Sequence, residues 1–224
     1  MSAKWRSLWG LALASMLAMS LWFSASAVVP QLTAEWGLST AGQSWLTMSV
    51  QLGFVVGALL SALLNLADRI RARRLFALSA LAGAGFNASI ALFVDHPLPA
   101  VVLRFLTGVT LAGVYPPGMK LMATWCKEDR GLCIGLLVGA LTVGSAMPHL
   151  FNALPILGAE AGIPPWRSVL LIASGSALLA ALIGGIFVQA GPLHSLTAPF
   201  QPRYAWRALS DRALRLANFG YLGH

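Results

Sequence analysis

Six residues with side chains able to bind a solute or a proton lie inside long apolar stretches of the chain. A polar or charged group is costly in hydrocarbon, so each one predicts either a solute site or a hydrogen bond between helices. Several of them recur at helical spacing, which places them on one face of their helix. The candidates for a shared solute cavity are Trp22, Ser24, Gln51, Arg104, Tyr115 and His149.

The charged and titratable candidates each have two open interpretations. Arg104 either extends its charged end to the outer membrane surface or faces a water-filled cavity, where it positions a solute or a partner helix. Lys120, near the other end of the same stretch, is expected to reach the membrane surface. His149 is either a hydrogen-bonded core group or a ligand or proton carrier.

The sequence offers these bases no acid as a partner inside an apolar stretch. All seven Asp and Glu residues lie outside those stretches, which predicts an anionic or polar solute. No pattern indicates a cofactor, a metal site or an enzyme. Cys126 and Cys133 match no metal or redox spacing, and we expect them to be reduced, buried thiols.

Composition decides the class of protein. Of the 224 residues, 58% are hydrophobic and 10% are charged, whereas a soluble domain carries about 25% charged residues. The mean hydropathy of +0.75 excludes a soluble enzyme, a disordered chain and a disulfide scaffold. The sequence therefore predicts an all-α membrane protein.

The charge-free stretches predict six membrane spans within residues 1–190, since a bilayer core takes about 20 apolar residues per helix. The fourth span contains Arg104 and Lys120, and Pro116-Pro117 between them should break or kink its helix. Small residues at four-residue spacing, such as Gly53 and Gly57 on the second span, predict close helix packing. A similar stripe on the fifth span comprises Gly131, Gly135 and Gly139. The predicted spans are residues 9–30, 43–65, 75–94, 98–123, 132–157 and 167–189.

The distribution of charge predicts the orientation. Twelve of the 15 Lys and Arg residues fall on one side of these spans, and the positive-inside rule places that side, with both termini, in the cytoplasm. The net charge of +8 is thereby explained without nucleic acid. The first span also resembles a signal peptide that could be cleaved near Ala25-Ser26-Ala27, but its apolar run is long enough to span, so an uncleaved helix in the plasma (inner) membrane is expected.

The loop after the second span resembles the signature loop of the major facilitator superfamily, G-x-x-x-D-R-x-G-x-R-R. Leu64 and Arg71 replace its two glycines. Arg104-x-x-x-Gly108 on the fourth span is similar to a second family motif, and Trp125 and Arg130-Gly131 follow as in the family. Met147-Pro148 replaces the Gly-Pro of the antiporter motif, so exchange is not supported. The signature-loop residues that match are Asp68, Arg69, Arg73 and Arg74.

The resemblance implies a six-helix bundle with 3+3 inverted repeats, forming one half of a twelve-helix secondary transporter that works by alternating access. The first and fourth helices would line the cavity, with the second and fifth beside them. Asp68 and the arginines that follow it would latch the cytoplasmic gate. Arg104 would couple transport or position the solute.

The remaining residues, 191–224, predict a cytoplasmic connector followed by the start of a seventh span. Residues 204–216 can form a basic amphipathic helix on the membrane surface, and residues 217–224 resemble the first turns of the next span. The expected interpretation is a carrier truncated at helix seven, whose partner would be the missing C-terminal half. The alternative is a natural half-carrier that pairs with a second copy.

Two other functions remain open. A non-transporting remnant or membrane subunit would share every feature above. An intramembrane serine protease could use Ser174 with His149 as its base, although the serine would then follow the histidine in the wrong order. Secondary transport of a small solute is the leading prediction.

Overall fold

The computed structural model describes residues 3–153, 166–193 and 210–222. Within these residues, six helices are long and apolar enough to cross a membrane, which confirms the predicted fold class. The helices are α1 (Ala3–Phe23), α2 (Val29–Trp36), α3 (Thr40–Leu63), α4 (Leu66–Arg69), α5 (Ala72–Phe93), α6 (Pro97–Leu111), α7 (Tyr115–Ala123), α8 (Arg130–Ala153), α9 (Trp166–Ile186) and α10 (Arg212–Leu222).

The first span differs most from its predicted bounds. Helix α1 begins at Ala3 and ends at Phe23, and a 3-10 turn over Ser26–Val28 leads into α2. Pro30 lies in the first turn of α2, where its missing N–H is not needed, whereas it would break the interior of a continuous helix. The apolar run is therefore divided into a long helix and a short one.

The fourth span breaks where the proline pair predicts. Helix α6 ends at Leu111 and α7 begins at Tyr115, with a proline at its first positions. Gly113 lies in the break, where an added Cβ would collide with the Ser79 hydroxyl of α5. The two halves of this span can thus take different directions while staying close to α5.

Besides the contacts of α1 with α9 and of α5 with α6, the spans pack most extensively in three pairs, which are α1 with α8, α3 with α6, and α5 with α9. In span order these are one with five, two with four, and three with six. A two-fold axis that relates spans one to three to spans four to six exchanges the first two pairs and preserves the third. The packing therefore has the symmetry that a 3+3 repeat implies.

Glycines allow two of these pairs to approach closely. A Cβ at Gly53 would collide with the Phe105 carbonyl oxygen of α6, and one at Gly108 with the Val50 carbonyl oxygen of α3. A Cβ at Gly144 of α8 would likewise collide with the Met16 carbonyl oxygen of α1. The predicted stripe Gly131, Gly135 and Gly139 differs, because nothing lies within 4 Å of a Cβ at any of the three.

The interior consists of two apolar clusters. One lies toward the N-terminus of α1 and contains Leu8, Leu11, Phe76 and Met122 among others. The second, at the opposite end of the bundle, includes Ile90, Ala100 and Leu170. Ser24, Asn87 and Arg104 occupy the positions of α1, α5 and α6 that fall between the two clusters.

The cysteines correct one expectation. They are buried as predicted, each 1% exposed, but they are joined in a disulfide rather than reduced. The short loop between α7 and α8 reverses the chain and brings Cys126 beside the first turn of α8, so that the two Cα atoms lie 6.5 Å apart. Sequence spacing alone gives no sign of this reversal.

The same loop is tied to the start of the chain. Lys4 Nζ donates a hydrogen bond of 2.6 Å to Asp129 Oδ2. This bond holds the pKa of the Asp129 carboxyl below its usual value. Both side chains are about one-third exposed, so the pair orders the loop more than it stabilises the fold.

The last described helix, α10, begins within the predicted surface helix and continues through residue 217, where the seventh span is predicted to begin. Its described side chains are exposed. Residues 204–209 and 223–224 of those two predicted segments lie outside the described residues.

Candidate functional site

Arg104 is the centre of a buried polar layer. Its side chain is 0% exposed, so it neither reaches the membrane surface nor faces an open cavity. The two terminal nitrogens donate to the end of α1, with Nη1 2.8 Å from the Leu21 carbonyl oxygen and Nη2 2.6 Å from that of Trp22. These carbonyls have lost their helical partners because α1 stops at Phe23. Arg104 therefore caps the broken end of α1.

Ser24 and Asn87 extend this layer to α5 and α9. Arg104 Nη1 lies 3.1 Å from Ser24 Oγ, which donates to Asn87 Oδ1 at 2.8 Å. Asn87 Nδ2 in turn donates to the Leu170 carbonyl at 2.9 Å and to Ser174 Oγ at 3.0 Å. One network thus connects four of the six spans.

The charge of Arg104 has no counter-ion in the part of the chain that the structure describes. Its Nε also has no hydrogen-bond partner there. Neutral carbonyl and hydroxyl groups disperse a positive charge but do not cancel it, and low-dielectric surroundings screen it weakly. The centre of the bundle consequently carries a positive potential.

An aromatic pair lies on α1 and α3, both of which contact α6, the helix that carries Arg104. The rings of Trp22 and Phe54 meet edge to face, with centroids 5.1 Å apart, and both side chains are half-buried. The carbonyl of Trp22 is the one that accepts from Arg104 Nη2. Gln51 precedes Phe54 by one turn on α3 and is exposed. We call Trp22, Phe54 and Gln51 the aromatic platform.

The predicted cavity residues therefore divide by exposure. Ser24 and Arg104 are buried in the network, Trp22 and Tyr115 are half-buried, and Gln51 and His149 are exposed on this chain. The structure brings Trp22, Ser24 and Arg104 together. It gives no contact that links His149 to them.

Several other polar residues of the spans bond within their own helix or to a neighbour. Thr142 and Ser145 of α8 donate to carbonyls four residues back. Asn152 joins α8 to the segment that follows α1, through Gln31 and the Ala27 carbonyl. Such bonds satisfy the hydroxyls and amides without a solute.

Sequence reasoning missed Asn87 and did not predict a structural role for Ser174. Asn87 is a fully buried amide in a charge-free span, and the rule that selected the six candidates would have found it. Ser174, weighed as a nucleophile, donates to the Leu170 carbonyl at 2.8 Å and accepts from Asn87. It is a member of the network.

The predicted gating residues lie at the basic end of the bundle. Arg69 ends the short helix α4 and is exposed, and Arg74 is also exposed. Arg73, in the first turn of α5, is half-buried. The side chain of Asp68 lies outside the described residues.

Six paired spans around a buried polar layer define a polytopic membrane transport protein. A profile of the Major Facilitator Superfamily matches residues 11–221, and the chain belongs to that family. It is a family of transporters, which confirms the prediction of a non-enzymatic membrane protein.

Individual relatives agree with this assignment. The chain is 30% identical over 147 residues to a gallate transporter of Pseudomonas putida, a match covering 64% of this chain and 30% of the relative. It is 28% identical over 159 residues to the 4-hydroxybenzoate transporter PcaK of the same organism, covering 70% of this chain and 33% of the relative. The matched region is thus about a third of each of these relatives.

A solved structure shows the same fold. It is a bacterial homologue of the human lysosomal transporter Spinster in an inward-facing and unoccupied conformation. It superposes with a TM-score of 0.76 at 18% sequence identity, covering 93% of this chain and 49% of the solved one.

Proposed function

We propose that this chain forms one half of a secondary carrier that moves a small aromatic carboxylate across the membrane by alternating access. The observation that carries the proposal is the aromatic platform beside the uncompensated charge of Arg104. An aromatic acid presents a ring that can stack on Trp22 and Phe54 and an anion that the positive potential attracts. Relatives that transport gallate and 4-hydroxybenzoate support this class of solute.

Each candidate residue has a distinct role in this proposal. Gln51 donates its amide to the carboxylate or a ring hydroxyl, and Trp22 packs against the ring. Tyr115 and His149 complete the polar wall from the fourth and fifth spans. Arg104 and Ser24 act behind this surface by fixing the end of α1 and supplying the field.

Two helices support the half-carrier proposal through their exposure. Over an apolar stretch of 18 residues in each span, 28% of α3 and 22% of α8 is buried, whereas 44–56% of each other span is buried. The open glycine stripe of α8 borders a groove of about 370 Å³ lined by Trp9, Leu13 and Gly135 among others. Small residues at four-residue spacing favour contact with another helix. A second six-helix bundle, from a C-terminal half or a second copy, would supply that helix.

In the proposed carrier Asp68, Arg69, Arg73 and Arg74 latch the gate at the basic face. That face, with both termini, is cytoplasmic, and the membrane is the plasma (inner) membrane. Single cysteines introduced in a chain lacking Cys126 and Cys133 test the orientation. Cysteine at Glu35 should react with an impermeant reagent outside intact cells, and cysteine at Arg71 should not. The reverse pattern would overturn the topology.

Transport itself is tested in vesicles that contain the purified chain. Uptake of radiolabelled 4-hydroxybenzoate is compared with that of 4-hydroxybenzyl alcohol, which keeps the ring and lacks the carboxylate. We expect no uptake by the chain alone, because one bundle leaves the solute face without its second wall, and saturable uptake of the acid when a second six-helix half is co-expressed. Saturable uptake by a crosslinked homodimer would identify a natural half-carrier instead. Absence of uptake in every combination, with the chains folded, would reject the transport proposal.

A further inference from the structure

A cavity of about 350 Å³ opens at the basic end of the bundle, away from the aromatic platform. Three bases line it, Arg71 and Arg73 at the start of α5 and Lys120 of α7. Thr124 and Gln189 add polar groups to the wall, and no Asp or Glu is among its described lining residues. The described wall of the cavity is therefore basic.

The floor of the cavity is held by hydrogen bonds. The segment after α9 lies along the end of α7, where the Gly191 N–H donates to Thr124 Oγ1 at 2.7 Å and the Leu193 N–H to the Thr124 carbonyl at 3.1 Å. Trp125 Nε1 donates to the Gln189 carbonyl at 2.8 Å. A Cβ at Gly191 would collide with the Thr124 carbonyl oxygen, so the close approach requires glycine. The pocket is a built feature of the fold.

An apolar surface leads to this pocket along α9. Leu179, Leu182 and Ile186 recur at helical spacing and are 55%, 56% and 62% exposed. Their row ends one turn before Gln189 in the pocket wall. A polar, basic pocket at the end of a lipid-exposed apolar row matches a molecule with an anionic head and hydrocarbon chains.

We propose that this cavity binds the phosphate of an anionic phospholipid headgroup, with the acyl chains along the exposed row of α9. Arg71, Arg73 and Lys120 pair with the phosphate, since guanidinium and ammonium groups donate charge-assisted hydrogen bonds to its oxygens. Gln189 and Thr124 lie at the wall beside the glycerol. This site does not depend on the identity of the transported solute.

The test is a titration of the detergent-solubilised full chain with fluorescent phosphatidylglycerol. Phosphatidylcholine, glycerol 3-phosphate and inorganic phosphate serve as competitors. We expect phosphatidylglycerol to bind at least about 10-fold tighter than phosphatidylcholine, because each base near a membrane surface contributes about 1 kcal/mol toward an anionic lipid and more than one base lines the pocket. The two soluble phosphates should compete only weakly, since they cannot use the apolar row. Competition by inorganic phosphate as strong as that of the lipid would assign the site to free phosphate and overturn the lipid proposal.

A matched pair of variants separates the pocket from the general charge of the basic face. Arg71→Gln with Lys120→Gln should weaken phosphatidylglycerol binding about 30-fold. Arg6→Gln with Lys127→Gln removes the same charge from exposed positions of that face outside the pocket and should change it less than about 3-fold. An equal loss in both pairs would reject a specific site.

Gln189 gives a second test that does not remove a buried group. Its side chain is exposed, and the bond to Trp125 uses its backbone carbonyl, so both Gln189→Glu and Gln189→Lys should fold. The acidic variant should bind phosphatidylglycerol about 5-fold more weakly and the basic variant about 5-fold more tightly. Equal binding by the two variants would overturn the proposal even if the double variant fails to fold.

Discussion

The polar residues of α1, α5, α6 and α9 differ from those of α3 and α8 in what they contact. From the first group of helices, Arg104, Asn87 and Ser24, which follows the last residue of α1, form one buried network that also bonds to backbone carbonyls. On α3 and α8, Gln51 and His149 are exposed on the chain. The same residue classes in apolar spans thus serve two purposes, helix cohesion in one region and an open surface in the other.

A charged residue inside a span is therefore not by itself a solute ligand. Arg104 is the most conspicuous polar residue of the sequence, yet its guanidinium is directed at the broken end of α1. The aromatic platform beside it is better placed to touch a solute. Removing residues from the network should therefore reduce stability, whereas changes on the open surface should affect transport or assembly.

Arg104→Ala should give the largest effect. It leaves the Trp22 carbonyl and the Ser24 hydroxyl without the donor that Arg104 provides, removes one of the donors to the Leu21 carbonyl and creates a cavity, so we expect a loss of about 2–4 kcal/mol in the free energy of unfolding. Thermal unfolding of the detergent-solubilised chain, followed by tryptophan fluorescence, measures it. Arg104→Lys keeps the charge but has only one nitrogen in place of the two that donate to the end of α1. Its free energy of unfolding should therefore lie between those of Arg104→Ala and the native chain. Native stability in Arg104→Ala would mean that the network does not hold α1.

Gly53→Ala and Gly135→Ala form a matched pair across the two regions. The first places a methyl group against the Phe105 backbone, which cannot move without separating α3 from α6, and should cost about 1–3 kcal/mol. The second meets open space and should leave the bundle within about 0.5 kcal/mol of its native stability. Comparable losses in both would show that the α8 stripe is packed within this bundle.

The larger variant Gly135→Leu tests what covers the stripe. It should leave this chain folded but reduce crosslinking to a co-expressed second half, because close helix approach needs small residues. Val138→Ala, at an exposed apolar position of the same helix, is the control and should crosslink normally. Unchanged crosslinking in Gly135→Leu would place the second bundle on another face.

Asn87→Leu should have a smaller effect than Arg104→Ala. The substitution removes the bonds to Ser24, Ser174 and the Leu170 carbonyl, but both serines keep a backbone acceptor of their own. We expect a loss of about 1–2 kcal/mol, measured by thermal unfolding. Ser89→Ala on the same helix is a control, since Ser89 is half-buried and bonds only within its own helix among the described contacts. A stabilised Asn87→Leu would show that the amide is retained for a reason other than cohesion.

More of the helical fold than of the candidate site can be predicted from the sequence. Charge-free runs and the proline pair predict six spans and the break at Pro116-Pro117, because hydrophobicity and backbone sterics act locally. The partners of Arg104 and the Cys126–Cys133 disulfide could not be predicted in the same way, because they depend on which loops and helix ends the tertiary fold brings together. The exposure of Gly135 has the same origin, since periodicity shows that a face is smooth but not which helix lies against it.

Gln51→Ala and His149→Ala should have the smallest effect on stability and a clear effect on transport. Both side chains are exposed, so each substitution should change the free energy of unfolding by less than about 0.5 kcal/mol. If Gln51 donates to the solute, its loss should raise the KM for 4-hydroxybenzoate in the co-expressed two-half carrier about 10-fold, as expected for one hydrogen bond to a charged group. His149→Ala should reduce uptake by the same carrier, because it removes a polar group from the wall that the fifth span contributes to the proposed site. Ser89→Ala, at a half-buried position of α5 outside the platform, is the control for both and should transport normally. A Gln51→Ala carrier with native KM, together with an Arg104→Lys carrier that is stable and inactive, would reverse the assignment and make the buried arginine the solute ligand.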